Sequence, residues 1–109
     1  MTYSVEMTRQ ASNDIRLIFE YIAFEIGSLQ NAAEQLGRLE NKILSLNKMP
    51  ERNKVYDDPM WVKRKLRMMP VDNYCVFYLC EPTVKKVVII RVIYSSRDME
   101  RELGQLLID

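Results

Sequence analysis

Apolar and polar residues change rhythm three times along this chain. Residues 3–7 alternate, residues 9–46 repeat at intervals of three and four, and YCVFYLC and VVIIRVIY, from Tyr74 and Val87, are almost unbroken apolar runs. Each unbroken run has the length of a strand and is rich in Val, Ile, Tyr and Phe. A strand wetted on one face alternates, so an unbroken run predicts cover on both faces. Glu81 to Lys86, with Pro82 and three charges, reads as a solvent-facing turn. The pattern therefore predicts an antiparallel hairpin at the centre of a sheet. On the second strand of that hairpin it places Val87, Ile89, Arg91 and Ile93 on one face and Val88, Ile90, Val92 and Tyr94 on the other.

The alternation in Tyr3-Ser4-Val5-Glu6-Met7 predicts a short strand near the sheet edge. Thr8 is placed to cap a helix running from Arg9 to about Ile26, with Ala11, Ile15, Ile18, Phe19, Ile22 and Ile26 as one stripe. Gly27 ends it and Ser28 caps a second helix, about Leu29 to Asn47. That helix carries Leu29, Ala32, Ala33, Leu36, Leu39, Ile43 and Leu46, and Gly37 suggests close packing. The short join forces the two helices antiparallel. Met49-Pro50 stops the second helix, and residues 51–59 read as a loop. Trp61 to Met69 is expected to be a strand with Val62, Arg64 and Leu66 on one face and Lys63, Lys65 and Arg67 on the other. Pro70-Val71-Asp72-Asn73 is the expected turn. Ser95 or Ser96 caps a closing helix with Asp98 and Glu100 in its first turn and Met99, Leu103, Leu106 and Leu107 inward. The expected fold is α+β, in the order β-α-α-β-β-β-α: an antiparallel-dominated sheet with its helices on one face.

The length, 109 residues, fits a single domain spanning 1–109. No apolar run approaches the roughly 20 residues that cross a bilayer, and the start MTYSVEMTRQ has no secretory pattern, so a cytoplasmic chain is expected. Cys75 and Cys80 lie on opposite faces of one strand and cannot pair; they read as free thiols. There is no histidine, which removes histidine-dependent triads and the commonest transition-metal sites; no metal or cofactor is expected. Net charge is only +1, so nucleic-acid contact would need local clustering. Such a cluster lies between Arg52 and Arg67, where six basic residues meet only Asp57 and Asp58. A basic strand beside Trp61, Tyr56, Tyr74, Tyr78 and Tyr94 suits phosphate contact and base stacking, or an acidic protein segment; a solvated, lysine-guarded edge strand is the plainer alternative. Arg91, inside an apolar strand, needs an ion pair with a helix acid or a place on a ligand face. Arg97, opening the last helix against its dipole, needs a partner anion or full exposure.

The residues resemble the RelE/ParE superfamily of toxins from bacterial type II toxin–antitoxin modules. The resemblance is carried by Thr8-x-x-Ala11-x-x-Asp14-Ile15, Tyr21-Ile22, Ala32-Ala33 and Leu46-x-x-Met49-Pro50-x-Arg52. It continues through Arg64-x-Leu66, Tyr74-x-Val76-x-Tyr78 and Arg91-Val92-Ile93-Tyr94-Ser95-Ser96-Arg97-Asp98. It implies a RelE/ParE-like twisted sheet packed by an N-terminal helical hairpin. It also implies a growth inhibitor of the plasmid-stabilisation kind, silenced by a cognate antitoxin through which alone it meets operator DNA. Two targets follow: ParE-like inhibition of DNA gyrase, or RelE-like, ribosome-dependent cutting of mRNA. For the nuclease branch the catalytic candidates are Lys63, Lys65, Arg67 and Arg97, cations that would stabilise charge when a 2′-hydroxyl attacks the adjacent phosphate. Arg64, Arg91 and Tyr94 are candidates for contact with the target or RNA. Cys75 and Ser95 stand where that branch often carries basic residues, and the long helical hairpin and the Arg-Val-Ile-Tyr ending look ParE-like. The balance favours gyrase; an inactive member serving only as an interaction and autoregulation partner is the third reading.

Overall fold

The computed structural model describes residues 2–95 and 99–108, apart from the side chains of 100 and 105–108. The expected element order holds: β1 (Ser4–Met7), α1 (Arg9–Glu20), α2 (Leu29–Leu44), β2 (Arg67–Val71), β3 (Tyr74–Glu81), β4 (Lys86–Tyr94) and α3 (Met99–Ile108). The strands form one sheet in the order β1-β4-β3-β2. β2–β3 and β3–β4 are antiparallel, while β1 runs parallel to β4 along its first half only, Ser4 opposite Lys86 to Met7 opposite Ile89. The long connection through both helices is what allows the parallel pairing.

Two of the three predicted N-caps form, and the third falls at the start of α3, where residues 96–98 lie outside the described ones. Thr8 Oγ1 accepts from the Ala11 amide at 3.0 Å, and Ser28 Oγ accepts from the Asn31 amide at 3.1 Å. Gly27 supplies the positive φ of +86° that the helix reversal demands. The single helix expected through Ile26 is a correction. After Glu20 the coil widens into a π-helical turn, Tyr21–Glu25. The wider turn rotates everything beyond Ile22 off the predicted stripe. Ala23 turns inward, while Phe24 and Ile26 stand 72% and 59% exposed. In α2, Ala32, Leu39 and Ile43 are buried, but Leu29 and Ala33 are exposed, and a Cβ on Gly37 would meet nothing within 4 Å. The close approach expected at Gly37 is absent.

The core has two halves, one on each face of the sheet. On one face Ala11, Ile15, Leu39, Ile43 and Leu46 of the helical hairpin and its 3₁₀ extension pack on Met69, Val76, Tyr78, Val87, Ile89 and Val92. On the other, Trp61, Leu66 and Leu103 pack on Cys75, Phe77 and Ile93. The helices are thus divided between faces rather than gathered on one: α3 and the Trp61 loop cover the second. Cys75 and Cys80 are both free and fall on opposite faces of β3, as alternation requires.

A β-bulge decides which residue of β4 faces where. Phe77 pairs with Arg91 but Tyr78 pairs with Ile89, so Ile90 has no partner. The extra residue breaks the alternation expected for β4. Val92 joins Val87 and Ile89 on the hairpin side, and Ile93 joins Ile90 on the other. Side chains from the start of α1 satisfy the bulge: Thr8 Oγ1 donates to the Ile90 carbonyl at 3.0 Å, and the Val92 amide donates to Asp14 Oδ2 at 2.9 Å.

Candidate functional site

The basic segment does not form the predicted strand. Asp58 Oδ1 accepts from the Met60 amide at 2.8 Å, and the Asp58 carbonyl takes the amides of Trp61 and Val62. This Asx-type turn feeds a 3₁₀ turn, Val62–Arg64, which Lys65 ends at φ 57°. The Trp61 ring, almost fully buried, anchors the loop under the sheet. Burying that ring outweighs the strand pattern of its neighbours. Lys63 and Lys65 are left exposed on a turn. Arg64 lies with its guanidinium 5.5 Å from the Trp61 ring centroid. Only Arg67 enters a strand, and its side chain is 16% exposed. Its Nη1 donates to the carbonyls of Glu51 (3.1 Å) and Asn53 (2.7 Å), and Nη2 faces Glu51 Oε2 at 3.6 Å. Lys63, Lys65 and Arg67 therefore share no face. Arg97 lies outside the described residues, as do Ser96 and Asp98; Ser95 bonds the Asn73 carbonyl through both its amide and its hydroxyl, at 2.8 Å each.

Tyr78 completes the clamp on the residue-50 loop. Its buried hydroxyl donates to the Pro50 carbonyl at 2.6 Å and accepts from Asn53 Nδ2 at 3.1 Å. Burial holds the phenol above its ordinary pKa and so keeps the donor protonated. Tyr78→Phe leaves the Pro50 oxygen without its donor, and should cost about 1–3 kcal/mol in urea unfolding. A loss within error of zero would show that the loop is held without it.

Arg91 takes the ion-pair reading. Nε and Nη2 meet Asp14 Oδ2 and Oδ1 at 2.7 and 3.1 Å, and Nη2 reaches Glu102 Oε2 at 3.5 Å. The fork on Asp14 is the main reason Arg91 holds its proton even more firmly than usual. One side chain thereby joins α1, β4 and α3.

Above this pair opens a groove of about 870 Å³. Leu17, Tyr21 and Phe24 of α1 and the π turn form one wall; Tyr74 and Tyr94 form another, their rings 5.5 Å apart at 55°. Tyr21 is 57% exposed. Burial, then the neighbouring Tyr94, raises the Tyr74 pKa, so Tyr74 keeps its phenolic proton. Among the described residues the charged lining is Asp14, Glu20, Glu25, Glu102 and Arg91; Arg91 pairs with Asp14 and Glu102, and Arg16 outside the lining pairs with Glu20. The sequence marked Arg91 and Tyr94 for this region but missed Tyr21, Phe24 and Glu25, whose exposure depends on the π turn. No group of three or more Cys, Asp or Glu among the described residues is placed to hold a metal ion, and none of their helices is long and apolar enough to cross a membrane.

An α+β domain with an N-terminal helical hairpin against a mixed four-stranded sheet is the fold of the RelE/ParE toxins. A chromosomal ParDE system from P. aeruginosa superposes with TM-score 0.68 at 15% identity, over 85% of this chain and 96% of that one. The toxin–antitoxin complex RelBE2 from Mycobacterium tuberculosis gives 0.66 at 17%, over 89% and 95%. A mutant E. coli RelE in the free state gives 0.60 at 17%, over 91% and 90%. At such identities these likenesses establish the fold. No curated protein sequence matches significantly. The family model for the ParE toxin of type II toxin–antitoxin systems, parDE, matches residues 5–99. The chain belongs to that family: it is a toxin of a type II toxin–antitoxin module.

Proposed function

We propose that this toxin arrests growth by binding DNA gyrase, without catalysis of its own, and that a cognate antitoxin keeps it silent in the cytoplasm. The observation that carries the reading is the fate of the basic segment. A metal-free RNA cleavage site needs cations converging on one phosphate. Here Arg67 is committed to two carbonyls and Glu51, Arg64 lies against Trp61, and Lys63 and Lys65 stand on a turn. The groove, with its exposed aromatic wall, is built for holding a protein rather than for moving a proton. Membership of the ParE family and the relation to a ParDE system support the same target. Operator DNA is met only through the antitoxin.

The purified chain, added to gyrase and relaxed plasmid, should suppress supercoiling and accumulate cleaved DNA. Induced alone, it should stop growth while mRNA ends stay unchanged, and Lys63→Ala/Lys65→Ala should stay toxic. Cuts within ribosome-bound codons that vanish in Lys65→Ala would replace this reading with the nuclease one. Unaffected growth on induction would leave only an interaction and autoregulation role.

A further inference from the structure

One polar stripe of α2 serves neither the core nor the groove beside Arg91. Arg38, Asn41 and Lys42 stand at intervals of three and four on α2, and Ser45 continues the stripe into the 3₁₀ turn. Across from it lies the free side of β2, the outer strand of the sheet. The Met68 amide points outward there, to the Lys54 carbonyl at 3.2 Å, so by alternation the nitrogen of Pro70 points outward too. Beyond Met68 this edge has no amide to offer, and a further strand is not what it is built to take. What the place offers is charge. Between stripe and edge opens a cleft of about 610 Å³, closed at its ends by Arg52 and by the turn at Asp72. Arg52 is fixed at the end of α2: Nη1 donates to the Lys48 carbonyl and Nη2 to Ser45 Oγ, at 2.7 Å each. Arg38 Nε meets Asp72 Oδ2 at 2.8 Å, but the pair is open to water, its side chains 52% and 40% exposed. Such a pair is weak and exchanges readily for another anion. The exposed Lys42 ammonium has no hydrogen bond or ion pair among the described residues. Residues 38–72 carry nine basic side chains against five acidic, and residues 1–37 two against five, so the total of +1 hides a cationic stretch in which this cleft lies.

We propose that this cleft takes the phosphate backbone of the duplex DNA that gyrase holds, and so fixes the toxin on the enzyme–DNA complex. The inference rests on the gyrase reading above. Charge selects an anion: three cations face one acid, and Lys42 has no other use. No aromatic ring lines the cleft among the described residues, so nothing there stacks on an unpaired base, and contact is with the backbone of a duplex. DNA is favoured over an acidic protein segment because the trapped complex already sets a polyanion beside the bound toxin. Phosphate contacts carry no sequence information, so the choice of operator stays with the antitoxin.

The test titrates labelled toxin with gyrase alone and with gyrase bound to a duplex of arbitrary sequence. DNA should tighten wild-type binding at least about tenfold at roughly 0.1 M salt, and the gain should shrink as salt rises. Arg38→Gln/Lys42→Gln should lose that gain, keep the affinity for gyrase alone, and flatten the log–log salt dependence by about 1.8, or about 0.9 for each phosphate. Lys63→Gln/Lys65→Gln removes the same charge from the exposed turn and should keep the gain. Asp72→Asn frees Arg38 and suits the left-handed backbone at that position, φ 54°, so it should enlarge the gain, a change that no folding defect imitates. Wild-type binding that DNA does not tighten, or a gain that Arg38→Gln/Lys42→Gln retains, overturns the cleft. A loss equal with and without DNA also overturns it and assigns the cations to an acidic segment of the enzyme. An equal loss in Lys63→Gln/Lys65→Gln overturns it by reducing the effect to overall charge. Wild-type toxin that binds gyrase neither with nor without DNA overturns the gyrase reading itself, and this inference with it.

Discussion

Asp14→Ala should remove about 3–5 kcal/mol of stability, as expected when one partner of a buried ion pair is deleted. The Asp14 and Arg91 side chains are 11% and 15% exposed, and the carboxylate serves three donors: Nε and Nη2 of Arg91 and the Val92 amide. Its loss leaves the guanidinium, among the described residues, with Glu102 at 3.5 Å and orphans the amide beside the bulge. Set against a total stability of roughly 5–15 kcal/mol, such a loss is a large fraction of the whole. Urea unfolding followed by Trp61 fluorescence measures it. Asp14→Asn keeps an acceptor for Val92 and should lose less. Asp14→Leu/Arg91→Met removes both charges and should recover much of the loss, because two apolar groups leave no buried charge unpaired. A double variant no more stable than Asp14→Ala would show that the bulge amide, not the ion pair, carries the cost. A single-variant loss below about 1 kcal/mol would show that Arg91 finds water instead, and that the joint between α1, β4 and α3 is loose.

The order of elements was legible because each signal was local. Thr8, Gly27 and Ser28 punctuate the hairpin by cap and turn chemistry that needs no tertiary context, and the unbroken runs from Tyr74 and Val87 could only be strands buried on both faces. The ion pair of Arg91 was legible for a similar reason: a charge inside VVIIRVIY has few affordable surroundings. Three features were not. The π turn at Tyr21–Glu25 and the bulge at Ile90 each insert one residue into a periodic pattern, and a pattern read at fixed spacing carries straight through them. Everything downstream then turns to a different face, which is why the spacing puts Ile26 inward while the structure exposes it, and why Val92 and Ile93 exchange sides. The third was the segment from Trp61. Alternating Lys and apolar residues satisfy a strand, yet the Asp58 turn and the burial of one indole dominate, and that burial involves Leu103 of α3, far along the chain. The resemblance pointed to the right superfamily; of its cationic candidates, Lys63 and Lys65 stand on a turn, Arg67 lies in β2, and Arg97 is outside the described residues.

Phe77→Ala tests that last point directly. A sheet with one hollow, solvated side would present Phe77 to water, and truncating it would cost little. The ring is instead fully buried beneath Trp61, Leu66 and Leu103, and the edge of Tyr56 meets it at 5.2 Å and 81°. A phenylalanine in such surroundings loses about 3–5 kcal/mol on truncation to alanine, part transfer free energy and part cavity. At roughly 4–8 °C per kcal/mol for a domain near this size, the melting temperature should fall by more than about 12 °C. Phe77→Leu keeps most of the volume and should lose less than half as much. The pair separates cover from mere hydrophobicity. If alanine and leucine both cost under about 1 kcal/mol, α3 and the Trp61 loop do not seal this face in solution. The cations at Lys63 and Lys65 would then be free to gather over the sheet, and the argument against a cationic catalytic site would fail.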